Sequence, residues 1–85
     1  MRYVIKYCTA WGYQQRAEAL SQEMNQNGYN TSISPGETGE FSLYKGTHVR
    51  TNGGGKLKMQ WTVLKKAGNN VFFSYQDIKG LLSDT

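Results

Sequence analysis

The amino-acid sequence predicts an α+β domain in which a mixed sheet is packed by two helices. Three features predict this class: an apolar strand-like run at residues 2–7, an amphipathic helical pattern at 13–27, and alternating patterns across 41–74 ahead of a short apolar-striped segment. A chain of 85 residues lies near the lower end of the size that supports one hydrophobic core. We therefore expect residues 1–85 to form a single domain.

The first predicted element is a strand with the sequence R-Y-V-I-K-Y at Arg2–Tyr7. Most of its residues are β-branched or aromatic, and apolar groups occupy successive positions. This pattern is typical of a strand that is covered on both faces. We expect it to be a central strand of the sheet.

The second predicted element is a helix over residues 13–27. Its apolar positions recur at helical spacing, and polar residues fill the opposite face. These apolar positions are Tyr13, Ala17, Leu20 and Met24. Gly28 follows at the place where a left-handed C-cap residue is expected, so the helix should end just before it.

The middle of the chain predicts short strands joined by turns. Residues 29–34 alternate weakly and end at Ser34-Pro35-Gly36, where proline and glycine favour a turn. Residues 41–44 and 47–51 alternate on either side of Lys45-Gly46, which predicts a hairpin with a tight turn.

The last third of the chain leaves one choice open. Residues 57–64 fit both a period of two and a helix face, but alternation and the following G-N-N turn favour a strand, paired with 71–74. Ser74 can cap a final short helix together with Asp77.

Composition excludes several classes of protein. The apolar runs are too short for a membrane span, and the beginning of the sequence lacks a secretory-signal pattern, so we expect a cytoplasmic protein that does not contact a membrane. Cys8 and His48 alone cannot form a tetrahedral zinc site, and no carboxylate pair or Ser-His-Asp order indicates a hydrolase. We expect no metal and no bound cofactor. The sequence does not indicate an oligomeric state.

Cys8 is the only cysteine, and it lies between the first predicted strand and the first predicted helix. The positive end of that helix would favour the thiolate form of a sulfur placed beside it. A C-x-x-C oxidoreductase would have a resolving cysteine three residues later, where this chain has Trp11. The alternative is that Cys8 is a small buried side chain that does not react.

Three segments carry a resemblance to a known family: Y-C-T-A-W-G-Y followed by R-A-E-A-L-S-Q-E-M, then S-P-G-E-T-G-E-F-S-L, then F-F-S-Y-Q-D-I-K-G-L-L. In this order they are similar to the start of the selenoprotein W family, to its strand around P-G-T-G-x-F and to the start of its last helix. The resemblance implies a thioredoxin-like β-α-β-β-α fold, here with an extra β-hairpin. Residues 53–70 have no counterpart in the family pattern, so they are an inserted loop or hairpin, or else the later strand pair belongs to the family's sheet and the earlier hairpin is the insertion.

The resemblance also implies thiol-redox chemistry at Cys8, the candidate catalytic residue. The active-site loop would then be Thr9, Ala10, Trp11, Gly12 and Tyr13. Trp11 stands where the family has its second cysteine or selenocysteine, so a single-cysteine exchange remains, such as a mixed disulfide with glutathione or a partner protein. Pro35 is a candidate for the cis proline that thioredoxin-like folds often place beside the active cysteine.

The alternative function is a non-catalytic binding module. Residues 41–76 hold six of the ten Lys and Arg residues and no acid, in a chain of net charge +4, with Tyr44 and Trp61 interleaved. Such a region could engage an acidic protein or, less favoured, nucleic acid. Trp11 would be either a lid over the thiol or an exposed anchor for a partner. The predicted basic surface consists of Lys45, Arg50, Lys56, Lys58, Lys65 and Lys66.

Overall fold

A computed structural model of the chain describes residues 2–50 and 57–82. Within these residues lie four strands and two helices in the order β-α-β-β-β-α. Their bounds are β1 (Arg2–Tyr7), α1 (Tyr13–Gln26), β2 (Thr31–Pro35), β3 (Glu40–Arg50), β4 (Leu57–Gly68) and α2 (Tyr75–Leu82).

The four strands form one mixed sheet in the order β2-β1-β3-β4. β1 and β2 are parallel and are connected through α1, whereas β1 with β3 and β3 with β4 are antiparallel. Residues from both helices and from the three strands β1–β3 contribute to one hydrophobic core. The predicted α+β class, with a mixed sheet packed by two helices, is confirmed.

β1 lies between β2 and β3, as predicted for a central strand, but the expectation that both of its faces are covered is wrong. Tyr3, Ile5 and Tyr7 are buried in the core, while Arg2 and Lys6 are exposed. This alternation indicates that the helices pack on one face of the sheet only. We call the other side the open face; it carries Val4, Lys6, Tyr44 and Trp61.

α1 follows its prediction closely. Its buried residues are the four that the helical spacing selected: Tyr13, Ala17, Leu20 and Met24. Gly28 has φ +91°, and the N–H of Tyr29 donates to the carbonyl of Met24 at 3.0 Å. This is the Schellman arrangement, which satisfies a free carbonyl of the last turn.

The hairpin predicted at Lys45-Gly46 is wrong, since β3 runs through this dipeptide without a turn and pairs along its length with β4. Gly46 is needed for packing instead. A Cβ on Gly46 would lie 2.7 Å from the Trp61 ring and 2.8 Å from the Met59 sulfur, because both side chains lie over its backbone. From the sequence alone, a glycine that makes room for a ring on the neighbouring strand cannot be distinguished from a turn glycine.

The strand pair predicted between 57–64 and 71–74 is also wrong. β4 pairs with β3, and residues 71–74 are irregular backbone that carries Phe72 and Phe73 onto the core. The two rings contact Phe41 at centroid distances of 5.1 and 4.9 Å, which favours this packing over strand pairing. Within the segment 53–70, residues 57–68 therefore form β4, which belongs to the main sheet and is not part of a separate hairpin. Residues 53–56 lie outside the described residues.

Candidate functional site

Cys8 directly follows β1, in the position that the sequence predicted. Its backbone N–H donates to the carbonyl of Glu40 at 2.7 Å, which fixes it against the start of β3. Its sulfur accepts a hydrogen bond from the N–H of Ala10 at 3.4 Å. The loop therefore supplies the sulfur with a hydrogen-bond donor.

The Cys8 side chain is buried, with 5% of its surface exposed, and it belongs to the hydrophobic core. A disulfide or an alkylating reagent needs direct access to the sulfur. The sulfur can therefore react only after a movement that exposes it. This burial is the strongest support for the alternative in which Cys8 is an inert core residue.

The loop between β1 and α1 is exposed, in contrast to Cys8, which precedes it. Thr9, Ala10 and Trp11 face solvent, and Trp11 is 92% exposed. The hypothesis that Trp11 packs as a lid over the thiol is therefore wrong, and its position suits an anchor for a partner. Gly12 then enters α1 with φ +92°, a conformation that a side chain would strain.

Tyr13 is the point at which α1 is tied to the rest of the chain. The residue is buried, its hydroxyl accepts the N–H of Asn70 at 2.9 Å, and its ring contacts Phe72 at 5.0 Å. Tyr13 therefore holds the beginning of α1 against the segment after β4. Its role is to position the loop, and its burial makes it unavailable to a bound substrate.

A groove of about 440 Å³ runs beside the loop. Its lining includes Trp11, Gly12, Asn70 and Phe72, and the guanidinium of Arg16 lies 4.3 Å from the Phe72 ring centroid. The groove thus combines an exposed indole, an aromatic surface and a cation. These are the side-chain types that dominate protein-binding hot spots.

Pro35 is the last residue of β2, and its backbone pairs with Tyr7, next to the candidate cysteine. No cis peptide bond occurs in residues 2–50 or 57–82, so the cis hypothesis for Pro35 is wrong. The N–H of Gly36 donates to the carbonyl of Tyr7 at 2.7 Å and closes this end of the parallel pair.

The structure does not gather the predicted basic residues on one surface. Lys45, Lys58 and Lys65 occupy positions on the helix side of the sheet, and the ammonium of Lys65 lies 5.9 Å from the Phe73 ring. Lys66 lies on the open face, because a register shift between Leu43 and Tyr44 leaves one extra residue in β4.

The remaining two members of the predicted basic surface are less informative. Arg50 ends β3 opposite Leu57, and Lys56 lies outside the described residues. Two cations that the prediction missed, Arg2 and Lys6, share the open face with Lys66. Arg2 and Lys6 are an even number of positions apart on β1, which places them on the same face of a regular strand. This signal is readable only if one face of the strand is expected to be exposed.

Two further findings concern other kinds of site. Among residues 2–50 and 57–82, no three His, Cys, Asp or Glu side chains are grouped as metal ligands would be. Neither α1 nor α2 has the length and apolar character of a membrane-crossing helix.

A protein-family comparison matches the model of the Rdx family over residues 2–84. The chain belongs to the Rdx family. The resemblance to selenoprotein W-like, thioredoxin-like proteins is thereby confirmed, and the match includes residues 53–70, which the shorter resemblance did not cover. Comparisons with curated proteins and with solved structures gave no significant match.

Proposed function

We propose that this Rdx-family protein performs single-cysteine thiol exchange, with Cys8 forming a mixed disulfide with glutathione or with a partner protein. The observation that carries the proposal is the hydrogen bond from the Ala10 N–H to the Cys8 sulfur. It places a donor on the sulfur within an exposed loop, at the position that carries the redox chemistry of selenoprotein W-like proteins.

The atoms and electrons of this thiol–disulfide exchange balance without a cofactor. The Cys8 thiolate attacks one sulfur of glutathione disulfide, a new sulfur–sulfur bond forms, the old one breaks, and glutathione thiolate leaves and takes up a proton from water. Because the chain has one cysteine, Cys8 cannot be released by an internal thiol. A second thiol from solution must attack the mixed disulfide and restore Cys8.

The loop of residues 9–12 controls access to the sulfur in this proposal. Few contacts hold it: the Ala10 N–H on the sulfur and the Tyr13 N–H on the Ala10 carbonyl, the latter at 3.3 Å. Exposed segments with few hydrogen bonds open locally at low free-energy cost. We expect such an opening to expose Cys8 while the sheet remains folded.

A second candidate is a binding module that has kept the fold and lost the thiol chemistry. The burial of Cys8 and the exposure of Trp11 beside a groove favour it. In this case the groove would dock a partner protein, and the cysteine would only fill space. A cytoplasmic location is a prediction under either candidate.

Incubation of the native protein with glutathione disulfide separates the two candidates. Thiol exchange predicts one glutathione adduct by intact mass, absent from the Cys8→Ser variant and removed by dithiothreitol. Trp11→Ala serves as the matched loop variant and should retain the adduct. If the native protein stays unmodified while the urea-unfolded protein is modified, Cys8 is an inert core residue. Thiol exchange is then excluded, and the binding module is the remaining candidate.

A further inference from the structure

The Cys8 proposal does not use the open face of the sheet. Its backbone register sets side chains in rows across the strands: Arg2 with Gly46 and Trp61, then Val4 with Tyr44 and Val63, then Lys6 with Ser42 and Lys66. Aromatic and cationic side chains therefore lie in the same row or in neighbouring rows of this face. Successive rows are about 6.6 Å apart, because a strand rises about 3.3 Å per residue.

The aromatic rings border a cleft of about 340 Å³ on this face. Its lining residues are Val4, Lys6, Ser32, Ser34, Tyr44 and Trp61. Trp61 is 44% exposed although its ring rests on Gly46, so the rest of the ring faces solvent. The lining thus combines an aliphatic side chain, an ammonium group, two aromatic rings and two hydroxyl groups, and the cleft volume lies in the range of small-ligand sites.

The cations of the open face surround these rings. The Lys6 ammonium lies 5.1 Å from the Tyr44 ring centroid, and Arg2 and Lys66 are exposed in the neighbouring rows. Two acids, Glu37 and Glu40, lie at the same end of the face as Lys6 and Lys66. The Glu40 carboxylate accepts the Glu37 N–H at 2.9 Å and the Tyr44 hydroxyl at 3.3 Å, which stabilises its negative charge at this end of the face.

We propose that the open face binds single-stranded nucleic acid, with bases stacked on Tyr44 and Trp61 and phosphates held by Arg2, Lys6 and Lys66. A single strand can offer unpaired bases to exposed rings, which a duplex cannot, and aromatic residues with interleaved cations are how sequence-tolerant sites of this kind bind. A flat sheet face also has no element that would enter the major groove of a duplex.

The charge of the chain argues against a second copy as the occupant. The chain carries a net charge of +4, and the open face carries Arg2, Lys6 and Lys66, so two open faces would repel each other. An acidic protein would satisfy the charges, but it would not require a small cleft between two rings. That occupant is tested as an alternative outcome.

The test measures the fluorescence anisotropy of 5′-labelled oligo(U) and oligo(dT) 15-mers during titration with the protein. With three phosphate contacts, the logarithm of the association constant should fall with log salt at a slope of about −2, since each contact on a single strand contributes about −0.7. Trp61→Ala should weaken binding by at least about fivefold, the lower bound for loss of one stacked base.

Two charge-matched variants locate the surface. The double variant Lys6→Gln/Lys66→Gln removes two cations from the open face and should reduce the salt slope by about 1.4. Lys58→Gln/Lys65→Gln removes the same charge from the helix side and should leave binding within about twofold, the change expected of distant screened charges. Circular dichroism establishes that each variant is folded.

Four outcomes would overturn the proposal: no binding at low salt, equal losses in the two double variants, equal affinity for a duplex of the same length, or displacement of the oligonucleotide by an equal concentration of poly-glutamate. The last would assign the face to an acidic protein. Cys8→Ser should bind the oligonucleotides like the unmodified chain, so this proposal and the thiol-exchange proposal fail independently.

Discussion

Gly68, at the end of β4, lies where the neighbouring backbone leaves no room for a side chain. Its φ is +149°, and a Cβ at this position would overlap the carbonyl oxygen of Gly39, which also accepts the N–H of Asn69 at 2.9 Å. Relief of that overlap would require the backbone of the β2–β3 turn to move. Gly80, in α2, has no atom within 4 Å of an added Cβ.

These two glycines give a matched pair of substitutions. Gly68→Ala should lower the free energy of unfolding by about 1–3 kcal/mol, as overpacking against fixed backbone does. Gly80→Ala should raise it by about 0.5–1 kcal/mol, because alanine is favoured over glycine in a helix. Urea unfolding monitored by circular dichroism measures both, and a loss of equal size in the two variants would contradict the described contacts at Gly68.

At the residue scale, the sequence predicted where Cys8 lies but not how it is covered. Its position between strand and helix follows from local patterns. Its N–H donates to the carbonyl of Glu40, thirty-two positions away, and its side chain belongs to a core built from β1, β3 and both helices. Local patterns carry no information on such long-range packing, and for the same reason the sequence left open whether Trp11 is a lid or an exposed anchor; the structure shows that it faces solvent.

At the scale of elements, helix ends were predictable because their determinants are local. Gly28 ends α1, and Ser74 with Asp77 begins α2, as the residue types indicate. Strand pairing was not predictable in the same way. Lys45-Gly46 has the composition of a turn, and only the position of Trp61 over Gly46 explains the glycine. The bulge in β4 determines which side of the sheet Lys65 and Lys66 each occupy.

The start of α2 has a testable dependence on pH. The carboxylate of Asp77 accepts the backbone N–H of Ser74 at 2.9 Å and its hydroxyl at 3.2 Å, and the backbone hydrogen bond is the main reason that the pKa of Asp77 lies below its ordinary value of 3.8. A carboxyl with a lowered pKa in the folded state stabilises the protein above its unfolded pKa. This stabilisation is lost as the pH falls through the lowered value.

Asp77→Asn should therefore lower the melting temperature at pH 7. The difference from the unmodified chain should shrink as the pH falls below 3.8, since Asp77 then becomes uncharged in both folded and unfolded chains. Thermal melts over this pH range provide the measurement. Glu23→Gln removes an exposed carboxylate from α1 as a control, and a pH-independent difference at Asp77 would rule out the charged cap.

At the scale of the whole molecule, the fold separates two surfaces that the sequence had not distinguished. The loop with Cys8 and Trp11 follows β1 at the beginning of α1, whereas Lys6, Tyr44 and Trp61 share the open face. The α+β class and the family could be predicted from the sequence. The assignment of cations to faces could not, because it requires the register of the complete sheet.

The central claim is that Cys8 reacts from the folded protein when the loop of residues 9–12 opens. The most direct test is the rate of Cys8 alkylation by iodoacetamide at urea concentrations below the unfolding transition. Local opening exposes little surface, so the account predicts a rate that is almost independent of urea in this range. A rate that rises with urea as steeply as the global unfolding constant would show that the sulfur is reached only by unfolding, and would contradict the claim.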